Sequence, residues 1–184
     1  MIAMTDLERL STISRLLGWV CLGLMIFLPA SVLACWLYFD VFGPGIADRL
    51  GIAREYAIPD QLTPTQIALG IGVMMVPVGI MMFGLWNLRQ LFQGFGAGRI
   101  FTLENTRSLR IFAWSAMIVI VVQFFTDGLL TVVLTLSNPP GQRILALSLS
   151  TEQIVAIFIG AVFVVIARVL EEGRKLADDN ASIL

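Results

Sequence analysis

The chain has 184 residues, of which 58% are hydrophobic and 14% charged, and its formal net charge is −1; its mean hydropathy is +0.88. That composition excludes an ordinary water-soluble domain, and the missing basic surplus excludes direct nucleic-acid binding. With no histidine in the sequence, imidazole metal sites and histidine general bases are excluded too.

Four long apolar runs predict four membrane-spanning helices, at about residues 16–39, 64–88, 108–133 and 151–170, followed by a helical tail over 171–184. A bilayer core of roughly 30 Å needs about 20 apolar residues in a helix. Backbone polar groups in lipid must be bonded within their own element. The expectation is therefore an all-α fold: one four-transmembrane-helix bundle, residues 1–184, with short connections and both termini cytoplasmic.

The first run is longer than the roughly 7–15 residues of a signal-peptide core, so it is read as a retained span. Val32-Leu33-Ala34-Cys35 is faintly like a lipoprotein box, but Trp36-Leu37-Tyr38-Phe39 continues the apolar run where a lipoprotein turns polar. Trp36, Tyr38 and Phe39 are expected in an aromatic belt at the membrane surface. Cys21 and Cys35 lie about 20 Å apart along one helix and read as small packing residues. Pro29 kinks this span, as Pro77 does the second.

Thr63-Pro64-Thr65-Gln66 opens the second span with an N-cap, a proline at the first helical position and a glutamine three residues after the cap. Ser150-Thr151-Glu152-Gln153 opens the fourth in the same manner, and similar capping chemistry accounts for the likeness. Ala68 with Gly72, and Ala156 with Gly160, are spaced for close helix–helix approach, in the bundle or in a dimer. Met74, Met75, Met81 and Met82 read as gap-filling side chains around the Pro77 kink. The helix is expected to stop after Phe92-Gln93, with Gly94-Phe95-Gly96-Ala97-Gly98 allowing a reversal toward a new cap at Thr102. That glycine run lacks a preceding strand and the lysine and hydroxyl of a phosphate-binding loop.

Within the third span Gln123, Asp127 and Thr131 share a helical face and form the candidate intramembrane polar group. Asp127 lies about 25 Å from the start of its helix, near the far headgroups. It is either an interfacial acid, hydrated or paired with Arg143, Arg49 or Arg54, or a protonatable group in a cleft. In the tail, Glu171 with Lys175 and Lys175 with Asp179 are opposite charges at helical spacing.

The basic residues set the orientation. Nine of the twelve fall on the N-terminal tail, the middle connection and the C-terminal tail, and three (Arg49, Arg54 and Arg143) on the other connections. This asymmetry predicts an N-in, C-in, multi-pass protein of the bacterial inner membrane. Arg99, Arg107 and Arg110 would then lie where anionic lipids attract each by about 1 kcal/mol.

Gly98-Arg99-Ile100-Phe101-Thr102-Leu103-Glu104-Asn105, with Arg107-Ser108-Leu109-Arg110, resembles the "G-x-x-F-[ST]-x-E-N … L-R" signature of a bacterial family of four-span membrane proteins of the YoaS type, a domain of unknown function. The segment from Ala167 to Asn180 resembles its closing "A-x-V-F-x-E-G-x-x-L-x-E-E-N", with Leu170 in place of the aromatic and aspartates at 178 and 179. The resemblance implies four helices and both termini inside, supplies no reaction, and hints at a regulatory partner. Its most specific positions, Phe101, Glu104, Asn105, Arg107, Glu172, Gly173, Leu176 and Asn180, together with Arg110, are the candidate interaction surface. Glu104 and Glu172 are expected to pair with arginines, as a structural clasp or as part of a docking surface.

The leading expectation is a regulatory or interaction module with a cytoplasmic docking surface; the alternative is a small transporter or channel subunit using Asp127. An enzyme is not expected, since no nucleophile–base pair, metal cluster or facing carboxylates occur in the spans. No cofactor is implied. The expected partners are the lipid bilayer, anionic lipids, and a protein partner or a second copy of the chain.

Overall fold

The computed structural model describes residues 2–39, 41–43, 45, 62–99, 102–139, 141–143, 145–147 and 151–181. Among the described residues four long helices follow in chain order: α1 (Ile2–Leu37), α2 (Pro64–Gly96), α3 (Leu103–Leu134) and α4 (Thr151–Ala181). Each contains a stretch long and apolar enough to cross a membrane: Ser11–Leu37, Pro64–Gly96, Leu103–Leu134 and Gln153–Gly173. The helices continue beyond the expected apolar runs through their charged ends: α1 begins at Ile2 and α3 at Leu103.

The packing divides the chain into two compact units. One comprises Met1–Ile26, Ile80–Ile118 and Val155–Leu184, and the other Phe27–Gly79 and Val119–Ile154.

In the second of these, Val32, Trp36, Phe39, Leu130, Val133 and Leu134 form the core, with Met74, Met75, Ile67 and Ile71 packed on it. Trp36 is the largest buried side chain, at 0% exposure. It stacks on Phe39 at 5.9 Å between centroids and donates its indole N–H to the Met74 sulfur at 3.0 Å. This corrects its expected place in the surface belt: an apolar ring with a bonded N–H is as well served inside the protein as at a headgroup. Tyr38 is exposed, as a belt residue would be. Gly70 admits the Trp36 ring, since a Cβ there would overlap it.

Of the two expected roles of the α2 pair, packing within the bundle is not the one seen. Ala68 and Gly72 are both exposed, and Gly72 faces open space. The α2 glycine that works lies two residues earlier, on the face toward Trp36. Ala156 is half-buried and Gly160 buried, which fits their expected packing role.

The start of α2 forms the expected capping box. The Gln66 backbone N–H donates to Thr63 Oγ1 at 3.3 Å, and the Thr63 N–H returns a bond to Gln66 Oε1 at 3.0 Å. The Gln66 amide N–H group meanwhile reaches the Val133 carbonyl at 3.0 Å and the Leu134 carbonyl and Ser137 hydroxyl at 3.4 Å. One side chain, 1% exposed, thus satisfies the start of one helix and the end of another.

The other unit is built around Leu91, Leu109 and Ala167, with Leu88 and Phe95 against them. Here α2 runs past the expected stop at Gln93 and closes in a Schellman motif. Gly98 adopts φ 74°, its N–H bonds the Phe95 carbonyl and the Arg99 N–H the Gly94 carbonyl, each at 3.0 Å. Thr102 then caps α3 as expected, accepting from the Asn105 N–H at 3.2 Å.

The two α2 glycines make a paired prediction. Gly70→Ala forces the Trp36 ring aside, an overpacking that costs about 1–3 kcal/mol. Gly72→Ala meets nothing and gains about 0.8–1 kcal/mol of helix propensity. Thermal unfolding of purified protein in detergent should give a lower midpoint for the first and an equal or higher one for the second.

Candidate functional site

The candidate surface residues fall into three groups. Asn105 is structural: buried, it donates its side-chain amide to the Arg99 carbonyl, and Gly94 lacks a Cβ where that amide lies. The glycine run therefore makes room for Asn105 as well as turning the chain. Glu104 and Arg107 are exposed on the first turns of α3. Glu104 makes no ion pair among the described residues. Phe101 lies outside the described residues, as do the side chains of Leu176 and Asn180. Gly173 is exposed, with open space at its α-carbon.

The third group is Arg110 and the acids of α4, and here the expected clasp is corrected. Arg110 pairs with Glu171, its Nη1 donating to both carboxylate oxygens at 3.1 and 3.2 Å. Glu172 pairs along its own helix with Lys175 at 2.8 Å. One residue turns a helix by about 100°, so adjacent acids cannot share a partner direction. Glu171 pairs across to α3 and Glu172 along α4, and sequence pattern alone could not choose between them.

Around this pair α3 and α4 enclose a cleft of about 420 Å³ lined by Arg110, Ala113, Trp114, Val164, Ala167, Arg168, Glu171, Glu172 and Lys175. Ala113 and Ala167 are buried, and these small side chains let the helices approach at the cleft floor. Nearby, Phe112 and Phe163 meet edge to face at 5.8 Å. The pattern that foretells the cleft is legible afterwards: Val164, Ala167, Arg168, Glu171 and Lys175 follow the three–four spacing of one helical face.

The intramembrane polar group belongs to the other unit. Asp127 accepts from the Gln123 amide at 2.7 Å and from the Gln153 amide at 3.2 Å. Gln153 was read from sequence only as part of a helix cap. Thr131, one turn on and fully buried, serves elsewhere: it donates to the Gly128 carbonyl at 2.7 Å and accepts from the Ala146 N–H at 3.0 Å. It ties the segment after α3 back onto that helix, with Leu147 over Gly128. Arg143, one expected partner of Asp127, donates to the Asn138 carbonyl at 3.4 Å, while Arg49 and Arg54 lie outside the described residues.

Among the described residues no group of three or more metal-ligating acids or cysteines occurs, and Cys21 and Cys35 are free thiols. Four apolar helices of spanning length, with polar side chains bonded to one another and to backbone, define a multi-pass helical membrane protein. Residues 46–183 match the family described as "Protein of unknown function (DUF2975)", well over half of the chain, and the chain belongs to that family. No curated protein and no solved structure matches it.

The amide cradle makes Asp127 testable. Asp127→Asn keeps a carbonyl oxygen to accept one amide and should cost at most about 1 kcal/mol, whereas Asp127→Leu strands both glutamine donors and should cost about 1–3 kcal/mol. Denaturation in detergent should rank wild type and Asn variant close together, with the Leu variant clearly below.

Proposed function

We propose that this protein is an interaction module of the cell membrane, with both termini on the cytoplasmic side. Its working surface is the charged cleft of α3 and α4 around Arg110 and Glu171. The observation that carries this reading is the Arg110–Glu171 pair, whose side chains are 49% and 29% exposed. An ion pair so open to solvent contributes only about 0–1 kcal/mol to the fold, so its charges are available to a partner. The polar groups of the other unit are spent on helix ends and on one another, which supports a structural role for Asp127 rather than a transport path. No nucleophile–base pair or paired carboxylates face each other among the described residues, and the protein is proposed not to be an enzyme. The arginine asymmetry supports the orientation, and a bacterial inner membrane is the compartment that fits it.

Two measurements test this. In a cysteine-free background, single cysteines at Asp48 and Arg143 should react with an impermeant maleimide on intact cells; reaction only after lysis reverses the orientation. For the surface, a photo-crosslinking residue at position 172 should give a discrete adduct in native membranes. Arg110→Glu should abolish that adduct while the protein still inserts, and adding Glu171→Arg should restore it. An adduct indifferent to both changes would remove the docking role.

A further inference from the structure

We propose that the α3–α4 cleft binds the phosphate headgroup of an anionic phospholipid, with the lipid's acyl portion against the cleft's apolar end. The cleft is graded along α4. Val164 and Ala167 face Ala113 and Trp114 within the apolar stretch, and Arg168, Glu171, Glu172 and Lys175 follow toward its end and beyond. From Val164 to Lys175 the rise is about 16 Å, a distance that covers the passage from upper acyl chain to headgroup. A soluble anion would use only the charged half of such a cleft; an amphiphile uses both.

The charges select the sign. The lining holds three cations, Arg110, Arg168 and Lys175, and two acids, Glu171 and Glu172. Each acid already has a cation, Glu171 with Arg110 and Glu172 with Lys175. Arg168 is exposed and makes no ion pair among the described residues. The surplus of a single positive charge matches the single negative charge of a phosphodiester and disfavours a cationic ligand. Trp114 stands 52% exposed at the wall, the amphipathic ring expected where acyl chain meets headgroup. A volume of about 420 Å³ lies within the roughly 300–1,000 Å³ of small-molecule sites. The inference concerns the same cleft as the docking reading but needs no protein partner, so either can fail while the other stands.

The test uses the purified full chain in nanodiscs containing phosphatidylglycerol or phosphatidylcholine, with retained lipid counted by native mass spectrometry. Phosphatidylglycerol should be retained over phosphatidylcholine. Arg168→Gln should reduce its retention about fivefold, the usual share of one interfacial arginine, and Arg143→Gln, outside the cleft and on the opposite connection, should not. Glu171→Gln should raise retention, because it frees Arg110 for the phosphate, and a gain cannot come from misfolding. Equal retention of the two lipids, an unchanged preference in Arg168→Gln, or a loss in Glu171→Gln would overturn the proposal. Displacement of phosphatidylglycerol by inorganic phosphate would overturn the lipid assignment in favour of a soluble anion.

Discussion

A helix that ends next to lipid leaves carbonyls with no water to turn to, and each stranded group there costs several kcal/mol. In one unit that constraint falls on Gln66. Its carbonyl oxygen accepts the N–H of Thr63 at the start of α2, while its amide N–H group is shared among Val133, Leu134 and Ser137 at the end of α3. A leucine of similar size would leave the Thr63 N–H without its acceptor and the Val133 and Leu134 carbonyls without their donor, and an alanine would open a cavity besides. The packing of Trp36, Leu130 and Leu134 follows, because the residues that bring those rings and side chains together are anchored by the same amide.

Asn105 solves the corresponding problem in the other unit by a shorter route. It caps nothing reciprocally, as a glutamate at that position would; it reaches back to the Arg99 carbonyl across the glycine turn. Two conditions make that possible, an α-carbon without Cβ at Gly94 and a positive φ at Gly98. In a medium where burial of apolar side chains drives little association between helices, close approach and internal hydrogen bonds are the remaining sources of specificity. Gly70 under Trp36 and Gly84 against Ser115 belong to the same economy.

The parts of this molecule that were legible in sequence are local. A capping box spans four residues, so Thr63, Gln66 and Thr102 announce themselves whatever surrounds them, whereas the glycine run announced a reversal but not that the helix would continue to Gly96 and turn at Gly98. The four apolar helices are legible for a different reason, since their length and composition are independent of how they pack. What failed was direction. Which way Trp36 points and which of two adjacent glutamates pairs with α3 depend on rotations that only the assembled helices set. Thr131 and Gln153 failed in a further sense: their partners, Ala146 and Asp127, come from segments 15 and 26 residues away.

The two kinds of polar contact also differ in how readily they exchange. Removing the Gln66 amide leaves buried carbonyls unsatisfied at about 1–3 kcal/mol, and nothing outside the protein can take its place. The Arg110–Glu171 pair stands half in solvent and contributes about 0–1 kcal/mol, an amount that one well-placed phosphate or carboxylate can match. A contact that an external group can replace at little cost is one through which a ligand can act on the protein, because only a differential interaction shifts an equilibrium. Since α3 and α4 carry the two halves of that pair, whatever competes for Arg110 also bears on how the charged end of α4 is held. The same weakness that makes the pair a poor contributor to stability makes it the part of the described molecule best suited to respond.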